Sequence, residues 1–279
     1  VDVLIEADEL ASSLATPDAP VLLDVRWKLG DPDGYRHYLR EHIPGAVYAD
    51  LERELAGPPS PAHGRHPLPV VADLERAARG WGVREGVGVV AYDDVGGTSA
   101  ARVWWLLRWA GFFHVRLLDG GLGSWKRAGL PLRAGEVRPG PGNVRLSEGR
   151  LPVIDADGAA QYAGNAVLLD ARAAERYRGE VEPVDPRAGH IPGARSAPTT
   201  QNLAADGSFR PVEELRARFA ELGADGRQPV GVYCGSSVTA AHEVAALAIA
   251  GIEAALYPGS WSQWSSDPDR PVETGHGRS

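Results

Sequence analysis

Short apolar runs alternate along the chain with longer stretches in which apolar residues recur every three to four positions. The runs VLLDV (21–25), VGVVAY (87–92), VRLL (115–118), AVLLD (166–170), PVGVY (229–233) and AALY (254–257) are short and nearly continuous in Val, Leu and Ala. Such runs predict strands covered on both faces. Between them lie helical patterns. ADLERAARGWG (72–82) offers Asp73 as N-cap, VEELRARFAELG (212–223) puts Leu215, Phe219 and Leu222 on one face before Gly223, and TAAHEVAALAIAG (239–251) ends at Gly251. Strand and helix in alternation predict an α/β fold, a mostly parallel sheet with helices on both faces.

The pattern occurs twice. LIEADEL (4–10) matches VIDADGA (153–159), LLDVRW (22–27) matches LLDARA (168–173), and EHIPGA (41–46) matches GHIPGA (189–194), all at spacings of 146 to 149 residues. Farther on, GVVAYDDVGGTSAARVWW (88–105) aligns with VGVYCGSSVTAAHEVA (230–245), and DGGLGSW (119–125) with PGSWSQW (258–264). A near-constant offset over half the chain means duplication of a whole domain. The seam is expected in RAGEVRPGPGNVRLSEG, rich in Gly, Pro and charge. We therefore expect a first domain over 1–132, a linker over 133–149 and a second domain over 150–279.

Composition narrows the function. The chain is 43% hydrophobic and 24% charged, as in soluble globular proteins. A formal charge of −8 with no dense Lys/Arg cluster argues against a nucleic-acid partner. VWWLLRWAGFF (103–113) is too short to cross a bilayer and is interrupted by Arg108, and VDVLIEADEL has no basic stretch ahead of an apolar one, so no membrane role and a cytoplasmic location are expected. A single cysteine can form neither an intramolecular disulfide nor a thiolate metal cage. Whatever Cys234 does, it does with its own thiol.

Cys234 falls where PVGVY ends and CGSSV leads into the next helix. Ligands collect at such carboxyl ends of parallel strands, and the unpaired amides of a following helix favour an anion there, thiolate included. Gly235, Ser236 and Ser237 keep bulk out of the cradle, and Ser236, Ser237 and Thr239 add hydroxyls. Aligning Tyr92 with Tyr233 sets Asp93 opposite Cys234. The first copy keeps the framework without the thiol, which predicts a catalytically silent domain. HIPGA stands in both copies although only one has the cysteine, so His42 and His190 read as loop staples bonded to local backbone.

Taken together, the paired LLD…HIPGA segments, the Asp93/Cys234 exchange, CGSSVTA and PGSWSQW resemble the two-domain rhodanese family, the thiosulfate and 3-mercaptopyruvate sulfurtransferases, over essentially the whole length. The resemblance implies tandem rhodanese-like domains and an enzyme in which Cys234 takes the outer sulfur of a donor as a persulfide. It then passes that sulfur to cyanide, a thiol or a thioredoxin-like reductant, with no metal or organic cofactor. It also implies that the loop amides from Gly235 through Ser236, Ser237 and Val238 to Thr239 hold the persulfide. The uncharged Gly235-Ser236 pair points to 3-mercaptopyruvate rather than thiosulfate as donor.

Three further implications are carried by the same resemblance. Arg176 and Arg187, ahead of the second HIPGA, should clamp the donor carboxylate. Asp50 and His66 of the first domain should join Ser236 as auxiliary groups for proton transfer, and Trp261 and Trp264 should pack the pocket rim. Ser237 departs from the glycine usual at its position; if the backbone there needs positive φ, serine strains it. A cysteine phosphatase would need arginine six residues after the cysteine, where Ala240 stands. A non-enzymatic persulfide carrier or redox sensor is the alternative reading.

Overall fold

The computed structural model describes residues 2–277; the outermost residues of the two expected domains, 1, 278 and 279, lie outside it. Among the described residues the strands are β1 (Leu4–Ile5), β2 (Val21–Asp24), β3 (Val47–Tyr48), β4 (Val89–Tyr92), β5 (Val115–Leu118), β6 (Val167–Asp170), β7 (Arg195–Ser196), β8 (Val230–Tyr233) and β9 (Ala255–Leu256). They form two parallel sheets, ordered β1-β5-β4-β2-β3 and β7-β6-β8-β9. The second repeats the first, with Val21 opposite Val89 and Asp24 opposite Tyr92 in one, and Val167 opposite Val230 and Asp170 opposite Tyr233 in the other. Its fifth position, where β1 lies in the first sheet, shrinks to one parallel bridge between Val153 and Leu256.

Helices cover both sheets: α1 (Ala7–Leu14), α2 (Gly34–Arg40), α3 (Leu51–Glu54), α4 (Val71–Gly80), α5 (Ala100–Trp109), α6 (Gly121–Arg127), α7 (Ala156–Asn165), α8 (Ala174–Tyr177), α9 (Val212–Glu221), α10 (Val238–Ile249) and α11 (Ser260–Trp264). Asp73 does not cap α4: Val70 holds that position, and Asp73, one turn inside, pairs with Arg76 at 2.7 Å. In α9 Leu215 and Phe219 are buried, and Gly223 follows at φ +77°. The stretch 133–149 runs without helix or strand along α4 and α5, its Val144 buried and its Gly142 amide bonded to the Arg79 carbonyl.

The apolar run around 103–113 is explained by α5. Nine of its ten residues are buried, because α5 packs on α10 between the two sheets and has no solvent side. Both helices belong to one continuous core that also takes in Leu23, Ala91, Leu169 and Val232 from the sheets. The two halves thus share a core. Among the described residues no helix is long and apolar enough to cross a membrane.

Each copy also carries the same polar staple. Asp24 binds Arg26 and Asp170 binds Arg172, all four residues buried, and the Tyr92 and Tyr233 hydroxyls accept the amides of Ile43 and Ile191 at 3.1 Å each. The imidazoles of His42 and His190 bond through Nδ1 to the carbonyls of Tyr38 (3.0 Å) and Tyr177 (2.8 Å) and stack on those tyrosine rings. Both histidines fix turns by local backbone contact.

Candidate active site

Cys234 follows the last residue of β8 and is 1% exposed. Its amide donates to Ser260 Oγ at 3.2 Å, and its carbonyl and that of Gly235 accept the amides of Trp261 and Ser262 at 2.9 Å. The start of α11 therefore takes up the loop's carbonyls. The loop's amides are left on the other side: Ser236 N–H reaches Sγ at 3.4 Å, and those of Val238, Thr239 and Ala240 donate to no protein acceptor among the described residues. These amides, at the start of the twelve-residue α10, are open donors of the kind that favour an anion.

Ser237 occupies the left-handed region, φ +62° and ψ 8°, immediately before α10. Its hydroxyl accepts from Arg102 Nη1 at 2.6 Å. Arg102 comes from α5 of the first half and is completely buried; its other N–H groups go to the carbonyls of Leu55, His66 and Pro67, and among the described residues it bonds to no carboxylate. Burial pushes its pKa down to about 10, and the charge of Cys234 opposes that shift. A buried cation without a carboxylate beside a reactive loop favours negative charge on that loop. Sequence reading misses Arg102 because it lies inside an apolar helix.

A second chain of contacts reaches the loop from the first half. His66 Nδ1 accepts from Ser236 Oγ at 2.8 Å, and His66 Nε2 donates to Glu52 Oε2 at 3.2 Å. Burial lowers the pKa of His66, and the Glu52 carboxylate opposes the shift, so the imidazole is neutral near pH 7 with its Nδ1 lone pair toward the serine. Asp50 makes no bond to this histidine. Its carboxylate caps α3 by accepting the amides of Glu52 and Arg53 at 3.0 and 3.2 Å, which leaves Glu52, two residues on, as the acid that meets the ring.

The cavity above Cys234 holds about 220 Å³ and is lined by both halves, including Trp27 and Arg65 from the first and Arg172, Arg176, Thr199 and Thr239 from the second. Arg176 is where the sequence places it, 16% exposed, held by Glu182 at 2.7 Å and Asp185 at 3.1 Å. Arg187 is not in the cavity. Its guanidinium bonds to the carbonyls of Trp264, Ser265, Asp267 and Arg270, closing the C-terminal end of α11. Trp261 and Trp264 pack the second domain's own core, not the cavity rim, and their indole N–H groups go to the carbonyls of Arg187 and Pro271.

Comparison with known proteins places the whole chain in one family. The family described as "Rhodanese-like domain" matches residues 6–128 and again 154–267. The chain is 49% identical over 278 residues to the "Putative thiosulfate sulfurtransferase SseB" of Mycobacterium tuberculosis, covering 98% of this chain and 97% of that protein. It is 50% identical over 281 residues to the "Probable 3-mercaptopyruvate sulfurtransferase" of Pseudomonas aeruginosa, covering 98% of each. The solved 3-mercaptopyruvate enzyme SseA of Escherichia coli superposes with a TM-score of 0.83 at 34% identity, over 94% of this chain and 99% of that one. With two matched domains, relatives covered end to end and a shared fold, this chain belongs to the rhodanese family as a tandem-domain relative of the thiosulfate and 3-mercaptopyruvate sulfurtransferases.

Proposed function

We propose that this protein is a sulfurtransferase that moves a sulfur atom from 3-mercaptopyruvate through a Cys234 persulfide to a thiol or cyanide. The thiolate attacks the donor sulfur; the carbon–sulfur bond breaks, its electron pair stays on carbon, and protonation of that carbon gives pyruvate. The acceptor then attacks the outer sulfur of the persulfide, and the sulfur–sulfur bond breaks with its electrons returning to Cys234. No net oxidation occurs, and the two half-reactions share one site.

The residues divide the work by position. Loop amides from Ser236 to Ala240 and the buried Arg102 meet the negative charge that moves from Sγ to the outer sulfur. Ser236, bonded to neutral His66, passes the proton that the donor's thiol gives up and its carbon takes back, and Glu52 holds the ring in the required tautomer. Arg176 faces the cavity as a carboxylate partner, and among the described residues no cation other than guanidinium lines it. The observation that carries the reading is the open amide cradle around a lone cysteine in a cavity that also holds arginine. The donor preference rests on Arg176 and on the uncharged Gly235-Ser236 start of the loop.

The test is mass spectrometry after incubation with 3-mercaptopyruvate or thiosulfate. The unsubstituted protein should gain the mass of one sulfur atom and release thiocyanate from cyanide, and Cys234→Ser should do neither. Turnover several times more efficient with thiosulfate than with 3-mercaptopyruvate would overturn the donor assignment. A persulfide that forms without turnover would favour a carrier.

A further inference from the structure

Trp27 follows β2 and lines the cavity above Cys234, and it also lines a larger cavity of about 1070 Å³ in the first half, to which Glu52 belongs. Glu52 does not line the first of these. The indole therefore stands between the catalytic cavity and the acid that serves it. Its main chain is fixed by the Trp27 carbonyl, which accepts from Ser99 Oγ at 2.9 Å just ahead of α5. Its ring N–H donates to Glu52 Oε1 at 2.8 Å, while Glu52 Oε2 accepts from His66 Nε2 at 3.2 Å. Among the described residues the carboxylate has these two side-chain partners only. The rings of Trp27 and His66 also meet each other, at right angles with centroids 5.4 Å apart.

A second partner matters because of where Glu52 sits. Its side chain is 56% exposed, whereas that of His66 is 4% exposed. A carboxylate in water with one partner keeps its rotamer freedom and is screened, so a lone bond to His66 would fix neither the acid nor the tautomer of the ring. An N–H on the other oxygen removes that freedom. The repeat supplies an internal comparison: LLDVRW against LLDARA sets Trp27 opposite Ala173, and the 148-residue offset between β3 and β7 sets Glu52 opposite Thr200. The second half, with no acid at that position, has no indole to hold one.

We propose that Trp27 is a positioning residue for the proton relay, its indole N–H anchoring Glu52 in the orientation that keeps the His66 proton on Nε2 and the Nδ1 lone pair on Ser236. The inference rests on the sulfurtransferase reading. It assigns the indole a task beyond walling the cavity, and one that it performs through Glu52.

A double-mutant cycle separates that task from the wall. Thiocyanate release at saturating 3-mercaptopyruvate is measured for the unsubstituted protein, Trp27→Phe, Glu52→Ala and the double variant. Phenylalanine keeps an aromatic wall without the N–H, and Glu52→Ala removes both acceptor oxygens, so any change in the wall itself enters both arms and cancels. Neither substitution empties a core position, since Trp27 is half-buried and Glu52 exposed. Trp27→Phe should lower turnover about fivefold in the unsubstituted protein, and less than about twofold once Glu52 is gone. Equal factors in the two backgrounds would make the indole a wall only and overturn the assignment, as would no loss in the first. Absence of turnover by the unsubstituted protein with 3-mercaptopyruvate or thiosulfate would remove the sulfurtransferase reading and this role with it; turnover together with equal factors sinks only the role of Trp27.

Discussion

The loop after β4 and the loop after β8 share one backbone plan and opposite contents. In the first, the Asp93 carboxylate fills the cradle: Oδ1 accepts the amides of Val95 and Gly97, Oδ2 those of Ser99 and Ala100, all at 2.8–2.9 Å. In the second, at the uniform spacing of 141 residues, Cys234 meets only the Ser236 amide through Sγ, and the amides of Val238 and Ala240 are open. A carboxylate places its acceptor atoms one bond beyond Cγ. A persulfide places its outer sulfur one bond beyond Sγ. The copy that carries Asp93 thus shows the kind of charge that a loop of this plan can hold, and at what reach from the backbone.

The largest expected effect comes from emptying the filled cradle. Asp93→Ala leaves four amides without partners, three of them in buried bonds, and should cost about 4 kcal/mol in denaturant unfolding. Cys234→Ala should cost only about 1 kcal/mol, since its cradle is already open toward a cavity. Comparable losses would mean that the two loops are not equivalent cradles.

A slightly smaller effect separates the helices that follow the loops. At the position of Ala101 in α5, α10 carries His242, fully buried, its Nδ1 accepting from Thr199 Oγ1 at 2.6 Å and its Nε2 donating to the Gly96 carbonyl of the first half at 3.1 Å. Burial pushes its pKa down to about 4. Between pH 6.5 and that value the unfolded chain takes up a proton that the folded chain refuses, so stability present above pH 6.5 is lost as pH falls to about 4. The loss attributable to this residue is about 3 kcal/mol. His242→Gln should flatten that part of the pH profile of unfolding, and an unchanged slope would show that His242 does not govern it.

Next in size is the relay that crosses from one half to the other. Glu52→Gln should lower turnover by about tenfold, because neutral glutamine no longer favours the tautomer that turns Nδ1 to Ser236. Asp50→Ala should remove a helix cap, costing about 1 kcal/mol of stability, with a smaller loss of turnover than Glu52→Gln. Steady-state rates and unfolding on the same two proteins check the pair, and the reverse ranking of turnover would return the relay to Asp50.

These two acids show where sequence reading stops. The six strands expected from apolar runs all form, because burial on both faces leaves a continuous signature; β1, β3 and β7, two residues each, leave none. Cys234 and its loop are legible from the strand-to-helix change in pattern. The partners that cross between halves are not. Glu52 rather than Asp50 meets His66 because of how a single helical turn is oriented, and Arg102 is hidden by the apolar helix that buries it. Arg187 lies in the right segment, but four carbonyls at the end of α11 claim its guanidinium, whereas Arg65, 111 residues before Arg176, reaches the cavity. Periodicity records which face is buried, not what a distant element brings to it.

The smallest effect lies at the one loop position where the halves exchange glycine and serine. Gly96 has φ +75° and its counterpart Ser237 φ +62°, so the fold demands a left-handed residue in both, and serine bears a strain of about 1 kcal/mol that glycine would not. Ser237→Gly relieves that strain but removes the hydroxyl that accepts from Arg102, a bond to a buried cation worth about 1.5–3 kcal/mol, and adds the entropy of a freer chain. The losses outweigh the gain, so Ser237→Gly should be less stable by about 1 kcal/mol. Ser237→Ala keeps the strain and loses the same bond, so it must fall below the glycine variant in the same unfolding measurement. A glycine variant more stable than the parent would mean that the strain exceeds the bond, and that Arg102 holds its place beside Cys234 through the Leu55, His66 and Pro67 carbonyls alone.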